Sequence, residues 1–317
     1  MTRRNFLRNT TATAATAVLA RTAATAAAPV APIPAIDTHI HLYDPTRPQG
    51  IPWPPKTDAL LYQPHLPETF RPTVAPFRVV GAVVVEASDW VEDNQWILDL
   101  AKTNSEIVGF VGNLRPGAPE FAANLRRFAA NPIFRGLRLK NSDLKNLGQT
   151  AFDADLRRVA DAGLAVDVLG GPAILAPAVQ LAQLAPALRI VVDHLPFKEW
   201  DGSLSALRAA LADLAPRKNI FVKLSEVVRR VNGQIVEDPA FYRPSLDALL
   251  ELFGPDRVLY GSNWPVSNRV APYETVHRVV SDYFAGLPRD VAEKYFWKNS
   301  FAAYRWQRRG AAAALVP

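Results

Sequence analysis

Short runs rich in Val, Ile and Leu recur along the chain, and each is followed by a longer segment with apolar residues three and four apart. The runs are too continuously apolar for strands with one wet face, so they read as strands buried on both faces, as in a parallel sheet. They are AIDTHIHL from Ala35, VVGAVVVEA from Val79, IVGFVGNL from Ile107, FRGLRLK from Phe134, LAVDVLG from Leu164, LRIVVDHL from Leu188, NIFVKLSE from Asn219 and DRVLYGSN from Asp256. Their spacing, typically about 25–30 residues, is that of a βα unit. Eight units predict an α/β protein built as a single (β/α)8 TIM barrel, with one or two closing helices in the tail RDVAEKYFWKNSFAAYRW. An open doubly wound sheet lacks support, because no glycine-rich phosphate loop follows the first run.

One stretch breaks the rhythm. Tyr43 to Pro76 holds nine prolines, which excludes a long helix and is long for a plain connection. It leaves the C-terminal end of the first strand, where barrels keep their active sites. It therefore reads as a lid or substrate loop carrying Arg47, Trp53, Lys56, Tyr62, His65 and Arg71.

The N-terminus has a different character. TRRNFLR is followed by a weakly apolar Ala/Thr run and Ala-x-Ala options, the pattern of a twin-arginine export signal over residues 1–28, with the barrel domain over 29–317. The run is too short and too Ala/Thr-rich for a stable membrane anchor. A periplasmic or secreted location is the expectation. Arg3, Arg4, Arg8 and Arg21 fall in this stretch, so the formal charge of +6 drops to +2 without it, 32 basic residues against 30 acidic. No basic run with interleaved aromatics remains, which argues against nucleic acid as a partner. The absence of cysteine excludes disulfides, thiolate metal sites and a cysteine nucleophile.

Polar residues at the C-terminal ends of different barrel strands converge on one mouth. Here they are His39 and His41, Glu86, Asn113, Arg138 and Lys140, Asp167, Asp193 and His194, Lys223, Ser225 and Glu226, then Ser262, Asn263 and Trp264. Two of the five histidines share the first strand one residue apart, so both imidazoles face the same way. Buried polar groups cost a few kcal/mol unless paired, so such an accumulation points to a site. Asp37 is read as a brace for the first strand, and His277 as a packing or surface residue of the last helix.

The segments IDTHIHLYDP, FRGLRLK, VVDHLP, VKLSE and RVLYGSNWPV resemble, in this order, the amidohydrolase-related family, and most of all its sugar-lactone and dicarboxylate-lactone hydrolases. The likeness runs from about residue 33 to 306. It implies a TIM-barrel hydrolase that opens a small lactone or sugar-acid ester by water attack at the carbonyl. Metal-using relatives of this kind bind through the His-x-His pair, histidines at strands 5 and 6, and a strand-8 aspartate that is also the base. This chain matches with His39, His41 and His194, but has no histidine in strand 5 and carries Asn263 at the strand-8 position. Asn takes no proton at neutral pH and binds cations weakly.

Two routes follow. His39, His41 and His194 can hold one divalent ion such as Zn²⁺. Alternatively the site works without metal, as some lactone hydrolases of the family do, with histidines and cationic side chains polarising the carbonyl. The resemblance and the strand ends together nominate His39, His41, His194, Asn263, Glu86 and Glu226 for catalysis. Arg138, Lys140, Asn113, Trp264, Trp53 and Tyr62 are expected to bind an anionic or sugar-derived small molecule. The base is open between Glu86, Glu226 and His194. A metal-dependent decarboxylase or isomerase, and a non-catalytic binding protein, are the alternatives to a hydrolase.

Overall fold

The eight expected strands are present in the computed structural model, which describes residues 32–197 and 203–316. They are β1 (Ala35–Ile40), β2 (Val79–Val85), β3 (Ile107–Gly112), β4 (Phe134–Lys140), β5 (Ala165–Leu169), β6 (Arg189–Val192), β7 (Ile220–Leu224) and β8 (Val258–Tyr260). All pair in parallel with their sequence neighbours, in the order β1 to β8. The barrel closes just past β8: His41 N–H donates to the Trp264 carbonyl at 2.8 Å and Asn263 N–H to the His39 carbonyl at 2.9 Å. The chain is a (β/α)8 barrel. The proposed signal over residues 1–28 lies outside the described residues.

Alternation along the strands sorts two cores. Val166, Val168, Ile190, Val192, Ile220 and Val222 face the surrounding helices. Val83, Val85, Ala165, Val191, Phe221 and Leu259 fill the barrel, joined from below by Trp297, Tyr304 and Trp306 of the tail. The tail thus plugs the N-terminal end, as the closing helices were expected to do. It includes helices Arg289–Glu293 and Asn299–Tyr304, joined by a wider π turn over Lys294–Lys298.

Three local features add to the sequence reading. The proline-rich segment contains a helix, Pro67–Val74, with proline at its first position, where the missing N–H costs nothing. The helix after β7 begins at Pro239, where the Asp238 side chain accepts the Ala240 N–H and caps it. A short antiparallel hairpin, Arg230–Val231 with Gln234–Ile235, stands between β7 and that helix. Among the described residues no helix is long and apolar enough to cross a membrane.

Candidate active site

The strand period carries charge into the barrel interior. Two residues beyond the inward-facing Ala165, Val191 and Phe221 come Asp167, Asp193 and Lys223, each on the same face. None of the three side chains is exposed. The Lys223 ammonium lies 2.8 Å from Asp167 Oδ2, 2.9 Å from Asp193 Oδ1 and 3.2 Å from His39 Nδ1. Tyr304 supports the layer from below, its hydroxyl 2.9 and 3.0 Å from the two Asp167 oxygens. Burial pushes the Asp167 carboxyl up to about 7 even with Lys223 beside it. Burial also presses on Asp193, but there the Lys223 ammonium wins and holds it well below the usual range. Burial opposes the Lys223 charge as well, and the two carboxylates outweigh it.

His39 sits on this charged layer and is itself fully buried. An ammonium can only donate, so His39 Nδ1 accepts from Lys223 and the proton of the neutral ring is on Nε2. Burial, then the Lys223 charge, keep that ring neutral. Close packing here depends on Gly261, where a Cβ would come within 2.9 Å of the His39 Cβ. Above His39 lie the other two imidazoles, with ring centroids 5.0 Å away for His41 and 4.5 Å for His194. His41 Nδ1 lies 3.0 Å from the Val85 carbonyl, so it donates and Nε2 is the acceptor. Burial, reinforced by Arg138, pushes His41 down to about 3. His194 contacts Ser225 Oγ at 2.8 Å, and burial lowers its pKa although Glu226 and Asp193 pull the other way.

His41 and His194 open into a cavity of about 500 Å³ at the C-terminal mouth. Trp53, Glu86, Arg138, Lys140, Glu226 and Asn263 share its wall. Glu86 is held by Arg138, whose Nε and Nη2 reach Oε1 at 2.8 and 2.7 Å while Nη2 also bonds the Glu86 carbonyl. Asn263 donates its amide N–H to Glu226 Oε1 at 3.0 Å, and its own Oδ1 is buried without a partner among the described residues. Both His194 and Asn263 have positive φ, 65° and 59°, a region that Asn and His enter more readily than most residues.

Several expected wall residues lie elsewhere. His39 is one layer beneath the cavity rather than on it. Trp264 packs behind the mouth against His65 and Phe70, with centroids 5.2 Å away in both cases. Asn113 is outside the wall, its backbone tied to the Asn94 side chain at 2.9 and 2.8 Å. Tyr62 is also off the wall. Of the six side chains expected on the proline-rich loop, only Trp53 reaches the cavity. Arg47 instead pairs with Asp93 at 2.6 Å and Arg71 with Glu106 at 2.8 Å. Asp37 braces the barrel, accepting from Ser262 N–H at 2.9 Å and Tyr273 hydroxyl at 3.0 Å. His277 packs among Phe77, Tyr260 and Phe296. Asp89, Phe197 and Arg269 line the cavity without having been singled out, since they sit in connections with no period.

Donor atoms of His39, Asp193 and His194 lie within 4.8 Å of one another, a spacing compatible with a divalent metal. His39 Nδ1 and Asp193 Oδ1 already face the buried Lys223 ammonium, while His39 Nε2 and Asp193 Oδ2 have no partner among the described residues.

The amidohydrolase family model matches residues 36–306. An L-fucono-1,5-lactonase of Burkholderia ambifaria is 30% identical over 240 residues, covering 73% of this chain and 80% of that protein. An amidohydrolase of Burkholderia multivorans, solved with zinc bound, superposes with a TM-score of 0.76 at 24% identity, over 86% of this chain and 99% of that one. A 2-pyrone-4,6-dicarboxylic acid hydrolase from Pseudomonas putida, so described provisionally, gives 0.68 at 23% identity over 86% and 97%. The last two likenesses speak to the fold. With the family match over most of its length and the lactonase relative, the chain belongs to the amidohydrolase family and is a hydrolase.

Proposed function

We propose that the protein opens a small, uncharged polyhydroxy lactone, with no step routed through a metal ion. The observation that carries the reading is the balance of charge on the cavity wall. Arg138 is matched by Glu86, Arg269 by Asp58 in an exposed ion pair and Asp89 by Arg115, which leaves one cation, Lys140, and one carboxylate, Glu226, on the rest of the wall. The imidazoles of His41 and His194 are held neutral by burial. A dicarboxylate would have to displace Glu86 to claim Arg138, so the expectation of an anionic substrate narrows to a neutral sugar lactone. The lactonase relative agrees with this class. A cavity of about 500 Å³ is also within the ordinary range for small-molecule sites.

The metal question turns on Lys223. A cation on His39, Asp193 and His194 would lie beside an ammonium that has no route to solvent and already contacts Asp193 Oδ1 at 2.9 Å. His39 would have to surrender the lone pair that Lys223 occupies. Strand 8 supplies the neutral Asn263 where a carboxylate would strengthen the site. His39 Nε2 and Asp193 Oδ2 are buried with no partner among the described residues, but the Lys223 ammonium held against the same two side chains weighs against a tightly held divalent ion and supplies the fixed positive charge beneath the imidazoles. In a water-poor site, fixed donors aimed at the developing oxyanion are worth more than in solution. Arg138, Lys140 and His194 are the donors within the cavity.

The test is ring opening of a panel of aldono-1,4- and 1,5-lactones beside 2-pyrone-4,6-dicarboxylate, followed by proton release. Faster opening of neutral lactones than of the dicarboxylate is expected. Carbon dioxide release from a carboxylated substrate would favour a decarboxylase, and binding without turnover a carrier protein. We further propose that residues 1–28 direct export through the twin-arginine route, on the strength of Arg3-Arg4 followed by Phe6-Leu7 and the Ala-rich run.

A further inference from the structure

We propose that Glu226 is the general base of this site and that Asn263 positions both Glu226 and the attacking water; the proposal rests on the lactonase reading. Three carboxylates border the cavity among the described residues: Glu86, Asp89 and Glu226. Glu86 is pinned at the strand end by two contacts from the Arg138 guanidinium to its Oε1. Asp89 is exposed at the rim and faces Arg115 at 3.5 Å. Glu226 is half-buried, and its hydrogen bond comes from a neutral amide, with no cation in salt-bridge range among the described residues. Of the three wall carboxylates it is, among the described residues, the one that no arginine holds.

Asn263 carries the second, independent observation. Its backbone is fixed on both sides, N–H to the His39 carbonyl at 2.9 Å and carbonyl from Ser267 N–H at 2.8 Å. With 2% exposure the side chain has little freedom. A carboxylate partner dictates that the amide nitrogen faces Glu226, which leaves Oδ1 as an acceptor with nothing to accept. A buried acceptor of this kind is costly unless a ligand or water completes it. A water admitted between them would give one hydrogen to Asn263 Oδ1 and the other to Glu226, leaving both of its lone pairs free to face the carbonyl carbon. The base has thus moved from strand 8 to strand 7, and the neutral strand-8 residue serves as its anchor.

The step balances without a further reactant. The water oxygen bonds the lactone carbonyl carbon while Glu226 takes its proton and the carbonyl π pair moves to oxygen. Collapse of the tetrahedral species re-forms the carbonyl and breaks the ring C–O bond. The departing ring oxygen takes the proton from Glu226, and the hydroxy acid ionises in solution with release of one proton.

The experiment compares wild type with Glu226→Gln, Glu226→Ala and Asn263→Ala on the best lactone of the panel, with folding checked by circular dichroism. Glu226→Gln keeps shape and can still accept from Asn263, so kcat is expected to fall by about 10²–10⁴-fold with KM within a few-fold. Added formate should restore part of the Glu226→Ala rate and none of the Glu226→Gln rate. Asn263→Ala should lower kcat about tenfold or more without raising KM in proportion. Should Glu226→Gln fold poorly, Glu226→Asp keeps the test alive, because a retained carboxylate must outperform Glu226→Ala. Active wild type with Glu226→Gln within a few-fold of it, or no formate rescue, overturns the assignment alone. Wild type inert on every lactone overturns the assignment together with the lactonase reading.

Discussion

Lys223→Met removes the cation at the centre of the buried layer and leaves Asp167 and Asp193 facing each other without it. The side chain has no exposure and contacts two carboxylates at 2.8 and 2.9 Å. Each contact has a Coulomb attraction of about 6 kcal/mol at an effective dielectric of about 20, most of it offset by desolvation. Deleting one partner of a buried ionic group costs about 3–5 kcal/mol, because the partner charge stays buried. The sign with pH follows from the carboxylates. Burial already lifts Asp167 to about 7, and loss of Lys223 releases Asp193 from its depressed state, so both titrate above the unfolded value of 3.8. The folded variant then holds protons that the unfolded chain does not, and its stability falls as pH rises from about 4 through those raised values. Urea unfolding followed by tryptophan fluorescence should show a deficit of about 3–5 kcal/mol at pH 8, shrinking by at least about 1.4 kcal/mol by pH 5. A deficit below about 1 kcal/mol at pH 8, or one equal at both pH values, would refute the buried ionic layer.

Other outcomes follow from the same structure. All five histidines are pushed down by burial, His41 to about 3 and His65 and His277 to about 4, so the unfolded chain takes up protons below pH 6.5 that the folded one refuses. Asp37, lifted to about 6, and Asp167 oppose this with two protons, leaving a net uptake of up to three and a stability loss of up to about 4 kcal/mol per pH unit toward pH 5; urea midpoints that stay flat from pH 7 to 5 would contradict it. Asn263→Asp sets a second carboxylate 3.0 Å from Glu226, so the pair should retain a proton, lose activity at neutral pH and shift its optimum to higher pH; a gain in rate together with stoichiometric zinc uptake would speak for a reduced metal site. Replacing Arg3 and Arg4 by lysine should abolish recovery from the periplasm, and unchanged recovery would remove the export proposal.

Much of this architecture is legible in the chain because the barrel repeats one unit. A strand's period of two fixes which face a side chain takes, and so sets His39 and His41 on the same face. It does not fix depth. Two residues along a strand are about 6.6–6.8 Å, enough to separate His41 in the cavity from His39 beneath it. For the same reason Asp167, Asp193 and Lys223 read as strand ends although they form a layer below the mouth. Loop side chains have no period at all. Trp53 reaching the wall while Tyr62 stays off it, and the arrival of Asp89 and Arg269, depend on how connections fold back. Choosing between Glu86 and Glu226 needed the partners, Arg138 for one and Asn263 for the other.

The central claim, lactone opening with Lys223 rather than a metal beneath the imidazoles, is tested most directly with chelator-treated, dialysed protein. The measurement is the rate of ring opening of L-fucono-1,5-lactone, followed by proton release and corrected for spontaneous opening, on samples whose metal content is determined by mass spectrometry. The account predicts that turnover persists at well under one metal ion per chain and does not rise when Zn²⁺ is added. Activity that disappears with the metal and returns in proportion to one bound Zn²⁺ per chain would contradict it.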